Sequence, residues 1–347
     1  MRTIISLATI FFLTLNFSCS QNDISTKYSN SITEKDLQDL LYVYASDEFE
    51  GRNTGEPGQK LAVKFIRDFY KANDIDKAIN TEDYFQKFLV DFTGRQVVSP
   101  DYIDIPTTKK KIDWVKTENV AAIIKGSEKP DEYIILTAHL DHVGKKGDDI
   151  YNGADDDGSG SMVLLEIAQA FKLAVLDGNR PKRSIVILHV SAEEKGLLGS
   201  KYYVENPLFP LENTITNLNV DMIGRTDPTR ESNNDNYIYL IGTDRLSSLL
   251  HETSEKVNEK TVNLELDYRF NAWDDPNRFY FRSDHYNFAQ YNIPVIFYFS
   301  GTHEDYHGPG DTADKIRYDL LTKRAKLIFH TAWEIANMEE TIKVDVE

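Results

Sequence analysis

The sequence predicts an α/β domain: a mixed, twisted sheet, parallel through its middle, with helices on both faces. Two observations lead there. From residue 118 onward, strand-like and helix-like runs alternate, the pattern of a sheet wrapped by helices. Within that alternation, Ile134–Leu136 and Ile185–Leu188 are apolar at every position, as strands buried on both faces are. The length of 347 residues and a hydrophobic share of 41% suffice for one large core.

The first 18 residues stand apart. Arg2 is their only charge, and an apolar run extends from Ile4 to Leu15. That run suits a signal-peptide core and falls short of the ~20 residues a spanning helix needs. Cys19, the chain's only cysteine, follows Asn16-Phe17-Ser18. The combination resembles a bacterial lipoprotein signal, in which the cysteine becomes the lipidated first residue, although Asn16 stands where leucine is usual. The other reading is a secretory signal cut near Ser18 or Ser20. The first places the protein on the periplasmic or outer face of a membrane, the second in the periplasm or outside the cell. Neither leaves a cysteine pair for a disulfide. The polar stretch 20–31 reads as a flexible tether. The expected organisation is therefore a signal at 1–18, a tether at 19–31 and a single domain at 32–347.

Helix signals come next, at about 33–44 and 58–73. Thr33 is a candidate N-cap with Asp36 three residues on. The connection between the two, Glu50 to Gly55, is rich in turn formers. Strand runs follow at Asn119–Ile124, Tyr133–Ala138, Ser184–Val190, Thr216–Val220, Tyr237–Ile241 and Pro294–Phe299. Helical runs separate most of them, at about 159–175, 196–205, 244–257 and 319–338. The formal charge is −17, from 56 acidic and 39 basic residues. That balance speaks against a nucleic-acid partner, which would want a basic face.

Ligands of such sheets bind at the carboxyl ends of the strands, and the chemically suggestive residues sit there. His139 and Asp141 follow one strand, Glu193 and Glu194 the next. Asp221 ends a third, and Thr302 to Asp311 follow the last. A solvated polar face would scatter such groups. A strand-end histidine can offer a nitrogen to a metal while a carboxylate two residues on holds its other N–H. Asp155, Asp156 and Asp157 are adjacent, before a glycine turn and a helix; they suit a cation or an acidic helix start. A calcium loop with Gly158 at its sixth place would need an acid at Gly153 and a glutamate at Leu164, and has neither. Adjacent Glu193 and Glu194 can divide the work of metal ligand and proton shuttle. His303-Glu304-Asp305-Tyr306-His307 spells H-E-x-x-H, but that motif needs a helix. Gly301 before it and Gly308-Pro309-Gly310 after it leave no room for one.

Taken together, the five segments resemble the co-catalytic di-zinc aminopeptidases, metallopeptidase family twenty-eight, whose relatives include glutamate carboxypeptidases and glutaminyl cyclases. The resemblance runs from about residue 33 to 338. It implies the zinc-exopeptidase (phosphorylase/hydrolase-like) fold, peptide substrates and two zinc ions. One zinc would take His139 and Asp221, the other Glu194 and His307. Asp156, four residues before Gly160, would bridge them. Glu193 would be the general base, Tyr306 an oxyanion donor, and Asp141 would orient His139. Three carboxylates against two Zn²⁺ suit a shared, activated water. About 30 residues separate Phe88 from Asn119, too few for the protease-associated domain often inserted there. Membrane contact would come only through a lipid on Cys19.

Arg282-Ser283-Asp284-His285 resembles a family segment near the substrate, which makes Arg282 a candidate contact. Trp273 and Phe279–Phe281 form an aromatic cluster suited to a side-chain pocket or to a small satellite core. Three functions are in play: an aminopeptidase, a glutaminyl cyclase on the same fold with one zinc, and a non-enzymic peptide receptor. Retention of Glu193 speaks against the last, and metal content separates the first two.

Overall fold

A computed structural model describes residues 21–101 and 112–346. The expected signal and Cys19 lie outside the described residues. The helices in chain order are α1 (Gln21–Ser29), α2 (Glu34–Tyr44), α3 (Pro57–Ala72), α4 (Gly160–Leu176), α5 (Leu198–Glu205), α6 (Ser248–Lys260), α7 (His285–Ala289) and α8 (Tyr318–Asn337). The strands are β1 (Asp76–Lys77), β2 (Phe85–Asp91), β3 (Gln96–Val98), β4 (Val115–Ile124), β5 (Lys129–His139), β6 (Gly144–Lys146), β7 (Asp149–Tyr151), β8 (Arg183–Val190), β9 (Thr214–Val220), β10 (Tyr237–Ile241), β11 (Glu265–Asp267) and β12 (Val295–Phe299).

Among the described residues, ten strands form one sheet in the order β11-β10-β12-β9-β5-β8-β4-β2-β3, with β1 beside β4. The four central strands β12, β9, β5 and β8 run parallel. Antiparallel pairing begins at β10 on one side and β4 on the other. The sheet is thus mixed and centrally parallel, as expected. Alternation sorts its side chains. Ile134, Leu136 and Ala138 of β5 join the larger core under α1 to α4, α6 and α8. Tyr133 and Ile135 face the smaller core under α5 and α7. Helix α4 lies in the larger core, which is why it is apolar around most of its circumference.

Local signals explain the element starts. The Thr33 hydroxyl accepts from the Asp36 amide at 3.1 Å and donates to the Asp36 carboxylate at 2.6 Å, a reciprocal cap on α2. Pro57 opens α3, where its missing N–H costs nothing. The expected tether is corrected. Residues 21–29 are helical, and Tyr28 of α1 is only 2% exposed. Its ring packs against Trp333 of α8, and its hydroxyl meets Asp177 and Asn179. Ser25 and His330 join the same two helices at 2.9 Å. Polar composition hid this segment, because Ile24 and Tyr28, one helical turn apart, supply its apolar contact.

Candidate metal centre

Each central strand delivers a donor at its carboxyl end. His139 closes β5, Glu193 and Glu194 follow β8, Asp221 follows β9, and His307 lies in the loop after β12. The loop leading into α4 brings Asp155, Asp156 and Asp157 under them. Only Asp156 faces the cluster. Asp155 accepts the Gly224 amide at 2.6 Å and meets His303 at 3.3 Å. Asp157 is within reach of His139 and Asp221, but its two oxygens are taken by the amides of His139, Gly160 and Met222 at 2.9–3.3 Å. The three aspartates thus divide into one that faces the donors and two that tie backbone loops together. Gly160 permits the fit, since a Cβ there would collide with the Asp157 carboxylate and the Val220 carbonyl.

The donors form two groups that share Asp156. His139 Nε2 lies 3.0 Å from Asp156 Oδ1 and 3.5 Å from Asp221 Oδ1. His307 Nε2 lies 3.1 Å from Asp156 Oδ2 and 3.2 Å from Glu194 Oε2. Imidazole nitrogens and carboxylate oxygens without thiolates are a donor set that suits zinc. The electrostatics agree. Burial alone would lower the His139 imidazole, but Asp221 and Asp156 hold it well above its usual value. Burial likewise opposes, and Asp156 and Glu194 outweigh it, to bring His307 up to about 10. Protons are held where divalent cations would neutralise the same carboxylates, so the residues fit a metal pair.

Glu193 and Glu194 are pushed apart. Burial raises the Glu193 carboxyl well above the usual range, with His139 opposing and Glu194 adding. Burial and Asp156 would also raise Glu194, but His142 and His307 overcome them and bring it down to about 2. Neighbouring carboxyls with opposite shifts are suited to acid–base and ligand duties.

The structure corrects one role. His139 Nδ1 donates to the backbone carbonyl of Asp141 at 2.9 Å, not to its carboxylate. That carboxylate accepts from the Thr54 hydroxyl at 2.7 Å and the Glu193 amide at 3.1 Å. Asp141 therefore holds His139 through its main chain and the Glu193 loop through its side chain. The H-E-x-x-H segment is turn, not helix, and its histidines diverge: His303 to Asp155, His307 to the donor cluster.

A cavity opens beside the donors, walled by Met222, Phe279, Phe297 and Phe299, with Arg282 and Tyr306 also lining it. Arg282 Nη2 donates to the Tyr306 oxygen at 3.3 Å, which leaves the phenol's proton free to be donated. Burial raises the Tyr306 phenol, so it stays protonated. Phe281 lines an adjoining groove that also reaches Glu193 and Glu194. The expectation for Trp273 is corrected: it is 74% exposed and stacks on Arg245, because the turn at Asp275 directs Phe279 inward instead.

Three supports escaped the sequence reading. Arg52, fully buried, donates to the carbonyls of Leu140, Asn152 and Gly153 and so joins the His139 loop to the Asp156 loop. Ser283 donates to Asp221 Oδ2 at 2.7 Å. His142, also buried, stands 2.9 Å from Glu194 Oε1. Position after a strand end was the available signal for His142, and Arg52 carried none beyond a turn-rich setting.

Residues 119–332 match the family model described as Peptidase family M28. A probable zinc metalloprotease of Pyrenophora teres f. teres (strain 0-1) is 25% identical over 342 residues, covering 90% of this chain and 70% of its own. Against seven further curated relatives, the chain spans between 14% and 54% of their length. Among solved structures, the LapA aminopeptidase of Legionella pneumophila superposes with a TM-score of 0.67 at 19% identity, over 98% of this chain and 81% of that one. The glutaminyl cyclase of Porphyromonas gingivalis gives 0.63 at 15% identity, over 86% and 97%.

Proposed function

The chain belongs to peptidase family M28, and from that premise we propose that it is a two-zinc exopeptidase that removes N-terminal residues from peptides. The observation that carries the reading is the pair of donor groups joined at Asp156. His139, Asp156 and Asp221 would hold one zinc, and Asp156, Glu194 and His307 the other. When bound, such a pair supplies Lewis acidity, polarising the scissile carbonyl and lowering the pKa of water.

The chain's own groups do the rest. Glu193 accepts a proton from the attacking water and returns it to the departing amine as the C–N bond breaks. Tyr306 donates its phenolic proton to the oxygen that gains charge. The apolar wall of Met222, Phe279, Phe297 and Phe299 receives a side chain and excludes water from it.

The test is metal analysis of undialysed protein together with a panel of aminoacyl-anilides and N-terminal-glutamine peptides, with and without chelator. About two zincs per chain and chelator-sensitive anilide release are expected. One zinc with cyclisation of N-terminal glutamine would favour the cyclase reading instead. Absence of zinc with activity untouched by chelator would overturn both.

A further inference from the structure

We propose that His142 is itself a ligand of the second zinc, so that this site holds four protein donors and the first only three. The inference rests on the two-zinc reading and deepens it. His142 is fully buried in the loop after β5. Its Nδ1 is 2.9 Å from Glu194 Oε1 and 3.7 Å from Asp156 Oδ2. The first distance is that of a hydrogen bond, but the alignment is not. Among the described residues neither ring nitrogen has a hydrogen-bond partner, and Asp156 Oδ2 and Glu194 Oε1 have none either. Buried polar atoms left this way are costly, and a cation between them would satisfy three at once.

His307 approaches the same two carboxylates from another side at 3.1 and 3.2 Å. With zinc–nitrogen and zinc–oxygen bonds of about 2.0–2.2 Å, donors around a tetrahedral ion stand about 3.3 Å apart. The separations made by His142 bracket that value. Its ring is also held in place: Gly153, at φ +55°, packs so closely that a Cβ there would lie 2.5 Å from Cγ and Cδ2 of His142.

Four protein donors close a zinc site, whereas three leave a position for water or substrate. The second zinc is therefore the firmly held one, and the first, with His139, Asp156 and Asp221, is the more open to the reacting groups.

X-ray absorption on the wild-type enzyme loaded with two zincs tests this without any substitution. The expected average is about 1.5 imidazoles per zinc, against about 1.0 if only His139 and His307 ligate. Graded chelation of wild type and of His142→Asn supplies a second readout. The asparagine amide can replace Nδ1–H as a donor to Glu194 but cannot supply an imidazole nitrogen. Wild type should release one zinc well before the other. His142→Asn should lose that order, its second zinc weakened by more than the 10–100-fold typical of a supporting residue. Circular dichroism in saturating zinc checks that the variant folds. About 1.0 imidazole per zinc, or an Asn variant with wild-type zinc affinity, would overturn the proposal and leave His142 a hydrogen-bond partner. Failure of wild type to take up two zincs would instead strike the two-zinc function itself.

Discussion

Glu193 and Glu194 share a loop and a chemistry, yet their surroundings assign them different work. Glu194 is flanked by His142 and His307 and held as an anion. Glu193 lines the cavity beside the donors, and burial drives its carboxyl up. Glu193→Gln should therefore keep about two zincs while kcat falls by ~10²–10⁴, the usual share of general acid–base catalysis. KM should change little, because the lost interaction acts in the transition state. Glu194→Gln should drop the zinc content towards one, with partial rescue by added zinc. Metal analysis separates the two before any kinetics, and zinc loss from Glu193→Gln instead would exchange their roles. The grouping of these residues was readable because each follows an apolar strand, and strand ends in a parallel sheet converge. What position cannot convey is direction. Nothing in the order of residues tells which of Asp155, Asp156 and Asp157 faces inward, or that Asp141 reaches His139 through its carbonyl. Trp273 misled for the same reason: an aromatic cluster in a loop does not reveal which ring turns inward.

Elements were readable where their periodicity was long. The central strands β8, β9 and β12 and helices α2, α3, α4 and α8 fall within one or two residues of their sequence signals, since repeated apolar spacing over several turns or a full strand outweighs local ambiguity. β5 begins four residues before its signal, at Lys129, because its first residues, Lys129-Pro130-Asp131-Glu132, are not apolar. The edge was not. β3 and β11 span only three residues each, too short to show alternation. Helix α1 was hidden by its polar residues, and it carries the prediction at this scale. Tyr28 is buried against Trp333 and bonded to Asp177 and Asn179. Tyr28→Ala should lower the unfolding free energy by about 3 kcal/mol, the usual cost of truncating a buried aromatic. Urea titration of the wild type and the variant measures it. A change within about 0.5 kcal/mol, as for an ordinary surface position, would restore the picture of an unattached tether.

The described residues are built around one broad sheet with its heavier core on one face, and that core holds a carboxyl which the residue pattern does not single out. Glu166 is one of two charged residues in the otherwise mainly apolar α4. It is 2% exposed, because α4 is buried throughout its first part, Gly160–Ala168, and turns Leu173 and Leu176 to solvent only further on. Among the described residues its Oε2 has no hydrogen-bond partner. Burial, with Asp36 adding, raises this carboxyl to about 8, whereas in the unfolded chain a glutamate titrates near 4.3. A folded value above the unfolded one means that the folded state binds the extra proton between those limits. The stability contributed by protonated Glu166 is thus fully present below about pH 4.3 and is lost as the pH rises through about 8. Glu166→Gln keeps the shape and removes the titration. The two proteins should be alike near pH 4.5, and the variant should gain steadily to an advantage on the order of 3–5 kcal/mol by pH 9. Denaturant titrations of zinc-free wild type and variant across that range isolate the effect, because every other titrating group is common to both and cancels in the difference. A difference that stays constant with pH would show that Glu166 reaches water or a partner and titrates like an exposed side chain.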